Sequence, residues 1–388
     1  MAIQRGRSLQ RPFELLRALP VLTKDEVREK LPELCASDVS RRRWFYNASG
    51  GSTGSPVQVI QDTWFRDAQR AVRMVFDRWA GYRIGEAKVV YWGSERDLRG
   101  GSKIATSVYR WLANERWINA FEDNCSSGAE VLSAMQRQRS AHLVGYADSL
   151  FQLARSARAT DRRDVPKPRA IVSSAGTLDS KMRDEIISAF GAPVFNRYGS
   201  REVGDMACEC AHHGGLHVAA PAHVVEIMDD EGVPCPPGVM GHIVVTPLSN
   251  WAMPLVRYAI GDMGVWEDEL CECPIKWPLL SQVYGRSSDI LINDSGGRVH
   301  GEYFTHLFYG CTWVKQFQVV QESRGWLVVR IVKSEGVSEE MVNRDLAVVE
   351  RGIRQAMGHT CRMELRFVDS IEATPSGKYR FTISKVGT

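Results

Sequence analysis

Long apolar runs are missing from this 388-residue chain: no stretch approaches about 18 consecutive apolar residues, so no transmembrane helix is expected. The basic opening Met1-Ala2-Ile3-Gln4-Arg5-Gly6-Arg7 leads into no apolar segment, and no secretory signal is expected there. An excess of one charge is missing too. The 49 Lys and Arg nearly balance the 46 Asp and Glu, leaving a net charge of +3. That excess is too small to make nucleic acid or an anionic membrane the main partner. The nine cysteines are an odd number and follow no leader. They point to a reducing cytoplasm and not to a disulfide framework. Internal repeats and low-complexity tracts are also missing, which excludes solenoids and arrays. What remains is globular in composition, 44 % hydrophobic and 24 % charged. The length exceeds one ordinary core, so two or three domains are expected.

The segment Leu19-Pro20-Val21-Leu22-Thr23-Lys24 reads as a loop leading to a helix with Thr23 as its N-cap and acids in its first turn. From about 57 to 197, short apolar strands alternate with amphipathic helices. Strands are expected at Lys88 to Trp92, His142 to Tyr146, Ala170 to Ser174 and Val194 to Asn196. Helices are expected at Ala129 to Gln138, Asp148 to Ala157 and Asp179 to Phe190. The alternation predicts an α/β fold with mixed, mostly parallel sheets flanked by helices. After about residue 205 the helical pattern stops. Strands near His217, Val224 to Met228 and His242 to Thr246 suggest a small β-rich subregion over 205–285. Gly285 to Gly297 is rich in turn residues. Beyond it, strands at Gln316 to Gln321, Trp326 to Val332 and Met363 to Val368 surround a helix over Ser338 to Met357, which makes a small α+β domain. The expected division is 1–286 and 287–388.

Four polar motifs carry the chemistry. In Ser49-Gly50-Gly51-Ser52-Thr53-Gly54, glycines let backbone approach a ligand, and hydroxyls and free amides can ring a phosphate. No Gly-Lys-Ser/Thr follows, so it is not a Walker A loop; a plain loop between strands has the same composition. Tyr198-Gly199-Ser200-Arg201-Glu202 follows a strand of the parallel region, where α/β sheets bind ligands. Tyr198 can stack on a base and Glu202 can hold Mg²⁺; an ordinary strand exit reads the same way. In Arg257-Tyr258-Ala259-Ile260-Gly261-Asp262, the carboxylate can accept hydrogen bonds from both hydroxyls of a ribose. The bland alternative is a surface Arg–Asp pair of little energy. Lys378 stands in the turn Thr374-Pro375-Ser376-Gly377-Lys378, where a mobile ammonium can meet a carboxylate and a phosphate together. Alone it is a solvated lysine. Tyr91, Trp92 and Tyr146 hint at a pocket for an aromatic acid, but aromatic residues near a sheet are more often core.

The cysteines cluster in Cys208-Glu209-Cys210 and Cys271-Glu272-Cys273, with His217 near the first pair. Two thiolate pairs and an imidazole can close a structural zinc site. The expected ligands are Cys210, His217, Cys271 and Cys273, with Cys208 as the alternative to Cys210. Buried free thiols are the other reading.

Taken together, the motifs resemble those of the adenylate-forming superfamily, and most closely the phenylacetate–CoA ligase and CapK-like branch. The resemblance runs from Leu19–Lys24 to Pro375-Ser376-Gly377-Lys378 and includes Ala207–Cys210, Gly215-Leu216-His217 and Gly285-Arg286. It implies ATP-dependent activation of a carboxylic acid, then transfer to CoA, in a monomer or homodimer. Ser49 to Gly54 would hold the β- and γ-phosphates. Ser174, Ala175 and Gly176 would line the adenine pocket, with Tyr198 on the base beside Gly199 and Ser200. Glu202 would ligate Mg²⁺, and Asp262 and Arg286 would hold the ribose. Lys378 would act in adenylation only, because the family's small C-terminal domain rotates between half-reactions. Three features depart from the family: Ser55 replaces a lysine common in the phosphate loop, Ser288 replaces the usual hinge Asp, and little chain precedes Leu19. Rival readings are transfer to an amine or hydroxyl, and a nucleotide-binding homologue that has lost catalysis.

Overall fold

The computed structural model describes residues 12–49, 57–92, 103–120, 124–139, 142–158, 165–286, 290–308, 311, 313–372 and 380–386. Strands β1 (Trp44–Ala48) and β2 (Gln58–Asp62) form an antiparallel hairpin. A sheet of 11 strands follows, in the order β10-β11-β12-β13-β9-β8-β7-β6-β5-β3-β4. Its members are β3 (Lys88–Trp92), β4 (Glu115–Asn119), β5 (His142–Tyr146), β6 (Ala170–Ser174), β7 (Val194–Ser200), β8 (Gly204–Glu209), β9 (Leu216–Val218), β10 (His223–Met228), β11 (Met240–Pro247), β12 (Tyr258–Trp266) and β13 (Leu279–Arg286).

The expected βα alternation holds in the β3–β7 half, where every neighbouring pair is parallel. β5 and β6 are buried at every position, as strands covered on both faces must be. The helix Ala147–Arg158 buries Leu150, Leu153, Ala154 and Ala157, one stripe at helical spacing. The helix Ser180–Phe190 is capped by Asp179, whose side chain accepts from the Met182 amide, and it ends at Gly191 in a left-handed conformation.

The β-rich stretch after residue 205 is not a separate sheet. β8 pairs antiparallel with β7, and β9 to β13 extend the same sheet by antiparallel pairing. Local patterning reveals strands but not which edge they join, because pairing is a nonlocal choice.

The opening segment is strapped onto β12. Leu22 bridges Tyr258 in parallel, with Leu22 N donating to Arg257 O at 2.9 Å and Ala259 N donating to Leu22 O at 2.9 Å. Thr23 caps the following helix in a full capping box with Glu26. Arg257, at a left-handed φ of 52°, is no surface residue and does not pair with Asp262. Its guanidinium donates to Glu226 at 3.1 and 3.4 Å and to the carbonyls of Arg17 and Leu19. Arg257→Ala would leave Glu226 buried with little compensation. We expect a loss of about 3–5 kcal/mol, toward the lower end because Arg17 Nε stands 4.0 Å from Glu226 Oε1. Urea unfolding followed by tryptophan fluorescence measures it. A loss below about 1 kcal/mol, the range of an exposed pair, would contradict this role.

The C-terminal region holds β14 (Ile290–Ile292) with β15 (Arg298–His300), and a four-stranded sheet in the order β18-β17-β16-β19. This sheet comprises β16 (Val314–Ser323), β17 (Trp326–Lys333), β18 (Arg362–Phe367) and β19 (Thr382–Ser384). The helix Glu339–Met357 is capped by Ser338. Its buried Val342, Val349, Ile353 and Met357 share one core with Val319, Leu327 and Val329 of the sheet. Among the described residues, no helix is long and apolar enough to cross a membrane.

Candidate functional site

The β1–β2 hairpin carries the Ser49 motif as its connection. Ser49 N donates to Val57 O at 2.8 Å and Val57 N donates to Ser49 Oγ at 2.8 Å, which closes the base of the loop. Gly50, Gly51, Ser52, Thr53, Gly54 and Ser55 lie outside the described residues. Val57, Val59 and Ile60 pack in one core with Val203, Met206 and Tyr258, which seats the hairpin against the large sheet.

Tyr198, Gly199 and Ser200 belong to β7 itself, not to a loop beyond it. The strand reverses through Arg201, Glu202 and Val203 into β8, with Ser200 paired to Gly204. This turn needs its glycines. A Cβ on Gly199 would stand 2.6 Å from the Gly204 carbonyl, and one on Gly204 (φ +82°) would stand 2.2 Å from the Gln69 side chain. Glu202 sits at the tip, 2 % exposed, and its Oε1 is buried without a hydrogen-bond partner. A buried carboxylate oxygen in that state costs free energy unless a cation or donor meets it. It therefore fits a metal-ligating role.

Two residues that the motifs do not include tie these parts together. Gln61 Nε2 donates to Arg201 O at 2.7 Å and to Glu202 O at 3.2 Å. Asn47 Nδ2 donates to Arg201 O at 3.1 Å and to Gln61 Oε1 at 3.0 Å. The β1–β2 hairpin and the Glu202 turn are thus fixed to each other across 154 residues of chain. The only signal in the sequence is a pair of amide side chains on short strands, which also describes a solvated strand face.

Asp262 lies within β12 and not in a turn; it is buried, and Tyr198 Oη donates to its Oδ2 at 2.7 Å. Asp262 is the register partner of Arg286 on β13, so the two expected ribose residues are neighbours across one hairpin. Ala175, at the carboxyl end of β6, takes a left-handed φ of 58°, a strained conformation of the kind that gathers at binding sites. A Cβ on Gly176 would stand 3.3 Å from Ala147 Cβ, and Thr177 Oγ1 lies 3.2 Å from where a Cβ on Gly285 would stand. The Ser174–Thr177 turn is therefore packed beside the end of β13. The structure brings together the base of the Ser49 loop and Glu202, and separately Tyr198, Asp262, the Arg286 backbone and the Ser174–Gly176 turn, along one end of β6, β7, β12 and β13. Lys378 and Ser288 lie outside the described residues.

The aromatic trio is not an open pocket. Tyr91 is 3 % exposed, packs in the core of the parallel half, and its hydroxyl meets Ser127 Oγ at 3.0 Å. Trp92 and Tyr146 pack on each other with centroids 4.3 Å apart.

The Cys/His group forms at the other end of these strands. Cys210 follows β8, His217 lies on β9, and Cys271 and Cys273 lie in the β12–β13 connection; their ligand atoms all fall within 4.8 Å of one another. Cys208 is excluded from the group. It packs among Phe76, Ala219 and Ala222, where burial pushes its thiol well up. Burial also pushes the Cys210 thiol up to about 12 and lowers His217, which keeps that ring neutral at pH 7. Cys271 is less enclosed; burial raises its thiol, but hydrogen bonds from Cys273 and Cys210 outweigh it and lower the pKa.

Residues 291–385 match the CapK C-terminal domain family. Protein CapK of Staphylococcus aureus is 25 % identical over 381 residues, 95 % of this chain and 80 % of that protein. A phenylacetate–coenzyme A ligase of Thermus thermophilus is 32 % identical over 115 residues, 29 % of this chain and 26 % of the ligase. Among solved structures, a 2-hydroxyisobutyryl-CoA ligase in the postadenylation state, in complex with 2-HIB-AMP, superimposes with a TM-score of 0.74. It is 17 % identical, and the match covers 96 % of this chain and 81 % of that one. The chain is a homologue of CapK, similar to it over nearly its whole length, and it shares the fold of the solved 2-hydroxyisobutyryl-CoA ligase.

Proposed function

We propose that the chain uses ATP to activate a carboxylic acid as an acyl-adenylate and then transfers the acyl group to coenzyme A. In the first step a carboxylate oxygen attacks the α-phosphorus, and the bond to pyrophosphate breaks. In the second, a thiolate attacks the acyl carbon, and the bond to AMP breaks. The observation that carries the reading is the buried Glu202 carboxylate, one oxygen without a partner, fixed through Gln61 and Asn47 to the base of the Ser49 loop.

The chemistry needs charge neutralisation above all. Two anions about 4 Å apart at a partly buried site repel by about 4 kcal/mol. Glu202 would hold Mg²⁺, which supplies neutralisation of the phosphates when bound. Glycines and hydroxyls of Ser49 to Gly54 would take the β- and γ-phosphates. Tyr198 and Ser174 to Gly176 would hold the adenine, with Gly199 and Ser200 beside them. Asp262, oriented by the Tyr198 hydroxyl, would accept from the ribose hydroxyls, and Arg286 would donate to a ribose oxygen. Lys378, on a C-terminal domain over 287–388 hinged near Ser288, would meet the acyl carboxylate and α-phosphate. The enzyme holds these groups in line and forms no covalent bond itself. The work suits a cytoplasmic protein whose partners are small molecules, as a monomer or homodimer.

Calorimetric titration with AMP tests the nucleotide site. Asp262→Ala should bind AMP about 10- to 150-fold more weakly, the equivalent of about 1.5–3 kcal/mol for lost charge-assisted hydrogen bonds. Unchanged affinity would remove the ribose assignment. Mass spectrometry of reactions with ATP, an acid and CoA should find the acyl thioester. Acyl-adenylate without thioester, or an amide or ester when an amine or alcohol is supplied, would assign the acceptor elsewhere.

A further inference from the structure

Away from the nucleotide residues, Cys210, His217, Cys271 and Cys273 converge from three segments of chain. Their spacing is informative. Cys210 Sγ and Cys271 Sγ are 3.7 Å apart, and Cys273 Sγ is 3.3 Å from His217 Nε2. A disulfide requires about 2.05 Å, so the first pair is not bonded. Two thiolates on a tetrahedral zinc, each at about 2.3 Å, stand about 3.8 Å apart. These two separations are close to those of ligands around one ion.

Backbone groups fix the sulfurs in place. The His212 amide donates to Cys210 Sγ at 3.4 Å and the Ile275 amide donates to Cys273 Sγ at 3.4 Å. Cys210 and Cys273 are 3 % exposed and His217 is 0 % exposed. The ring of His217 is held in place by Trp79, with centroids 5.7 Å apart, and Trp79 in turn packs on Trp277. Cys271 alone faces solvent, at a cleft of 330 Å³ also lined by His212, Glu267, Glu269 and Glu272, an anionic route for a cation.

We infer that these four residues hold one zinc ion in a closed Cys₃His site, and that the ion clamps the far end of the β12–β13 hairpin onto β8 and β9. The inference stands apart from the acid-activation reading and survives its failure. Residues 267–278 between β12 and β13 contain no strand or helix. Without a staple, a loop of that length is expected to be loosely held. β9 is only Leu216–Val218 and meets β13 through Leu279 and Leu280 alone. The hairpin so clamped carries Asp262 and Arg286 at its other end. Asp262 precedes the end of β12 by four residues, about 13 Å along a strand. The ion therefore does not touch substrate. Four protein ligands also leave no open position, so its part is to hold the hairpin in register.

The test is metal analysis of untagged full-length protein, grown with zinc and purified without chelators. One zinc per chain is expected. Cobalt(II) exchanged into the site should give thiolate-to-metal charge-transfer absorption and the visible bands of a tetrahedral ion. Cys273→Ser and His217→Asn should each lose the bound metal, while Cys208→Ser keeps it. Chelation followed by return of Mg²⁺ should lower the melting temperature by several degrees. If the variants fail to fold, the cobalt spectrum of the unaltered chain still decides. Freely titrating thiols with no metal, a Cys210–Cys271 disulfide found by mass spectrometry, or zinc retained in both Cys273→Ser and His217→Asn would each overturn the site.

Discussion

Lys378→Ala should reduce carboxylate-dependent exchange of pyrophosphate into ATP by about 10²–10³-fold, the usual effect of removing one charge-stabilising group from a transition state. The expectation rests on its place in Pro375-Ser376-Gly377-Lys378, on the resemblance of that motif, and on the match of residues 291–385 to the CapK C-terminal domain family. During adenylation two anions meet, and a lysine that bridges them removes repulsion where it is greatest. During transfer the acyl group is already attached to AMP, and that repulsion is gone. Consumption of a pre-formed acyl-adenylate by CoA should therefore survive the substitution. Equal loss of both half-reactions would show that Lys378 serves folding or general binding instead.

Glu202→Gln should lower Mg²⁺-dependent adenylation by about 10- to 100-fold, with a matching rise in the Mg²⁺ concentration needed for half-maximal rate. The side chain keeps its size, so the turn through Arg201 and Val203 should persist. The backbone bonds from Gln61 and Asn47 do not involve the carboxylate. The melting temperature should therefore stay the same or rise, because a buried carboxylate oxygen without a partner is replaced by a neutral amide. Loss of stability together with an unchanged Mg²⁺ requirement would make Glu202 a structural residue. Gln61→Ala, by contrast, should disturb the geometry of the turn while leaving Glu202 in place. Its signature would be a fall in kcat at an unaltered Mg²⁺ requirement.

Much of the architecture is legible in local patterns. Thr23 with Glu26, Asp179 before an apolar stripe and Ser338 before Glu339 mark helix starts, because capping depends on neighbours in sequence. The inner parallel strands β3, β5 and β6 are mostly apolar runs because both faces are covered, whereas the edge strand β4 is half exposed and polar. The Cys/His group was legible from residue type alone, down to the choice of Cys210 over Cys208. Cys208 stays within β8 and packs in the core, whereas Cys210 stands just past the strand's end, where the chain turns toward Cys271. What local pattern does not carry is pairing between distant segments. Nothing near Arg257 says that its partners are Glu226 and the carbonyls of Arg17 and Leu19. Nothing near Asn47 or Gln61 says that they hold the Glu202 turn. The position of Asp262 inside a strand was hidden for a similar reason. Gly261 looks like a turn residue, yet its φ of 81° serves a strand irregularity beside Asp262.

The most direct measurement is ATP–pyrophosphate exchange by the purified full-length chain across a panel of aromatic and aliphatic carboxylic acids. The expected result is exchange that requires both Mg²⁺ and a carboxylic acid, and that one class of acid supports far better than the rest. Absence of exchange with every acid, in a protein that binds ATP and is folded, would contradict it and leave a nucleotide-binding homologue without catalysis.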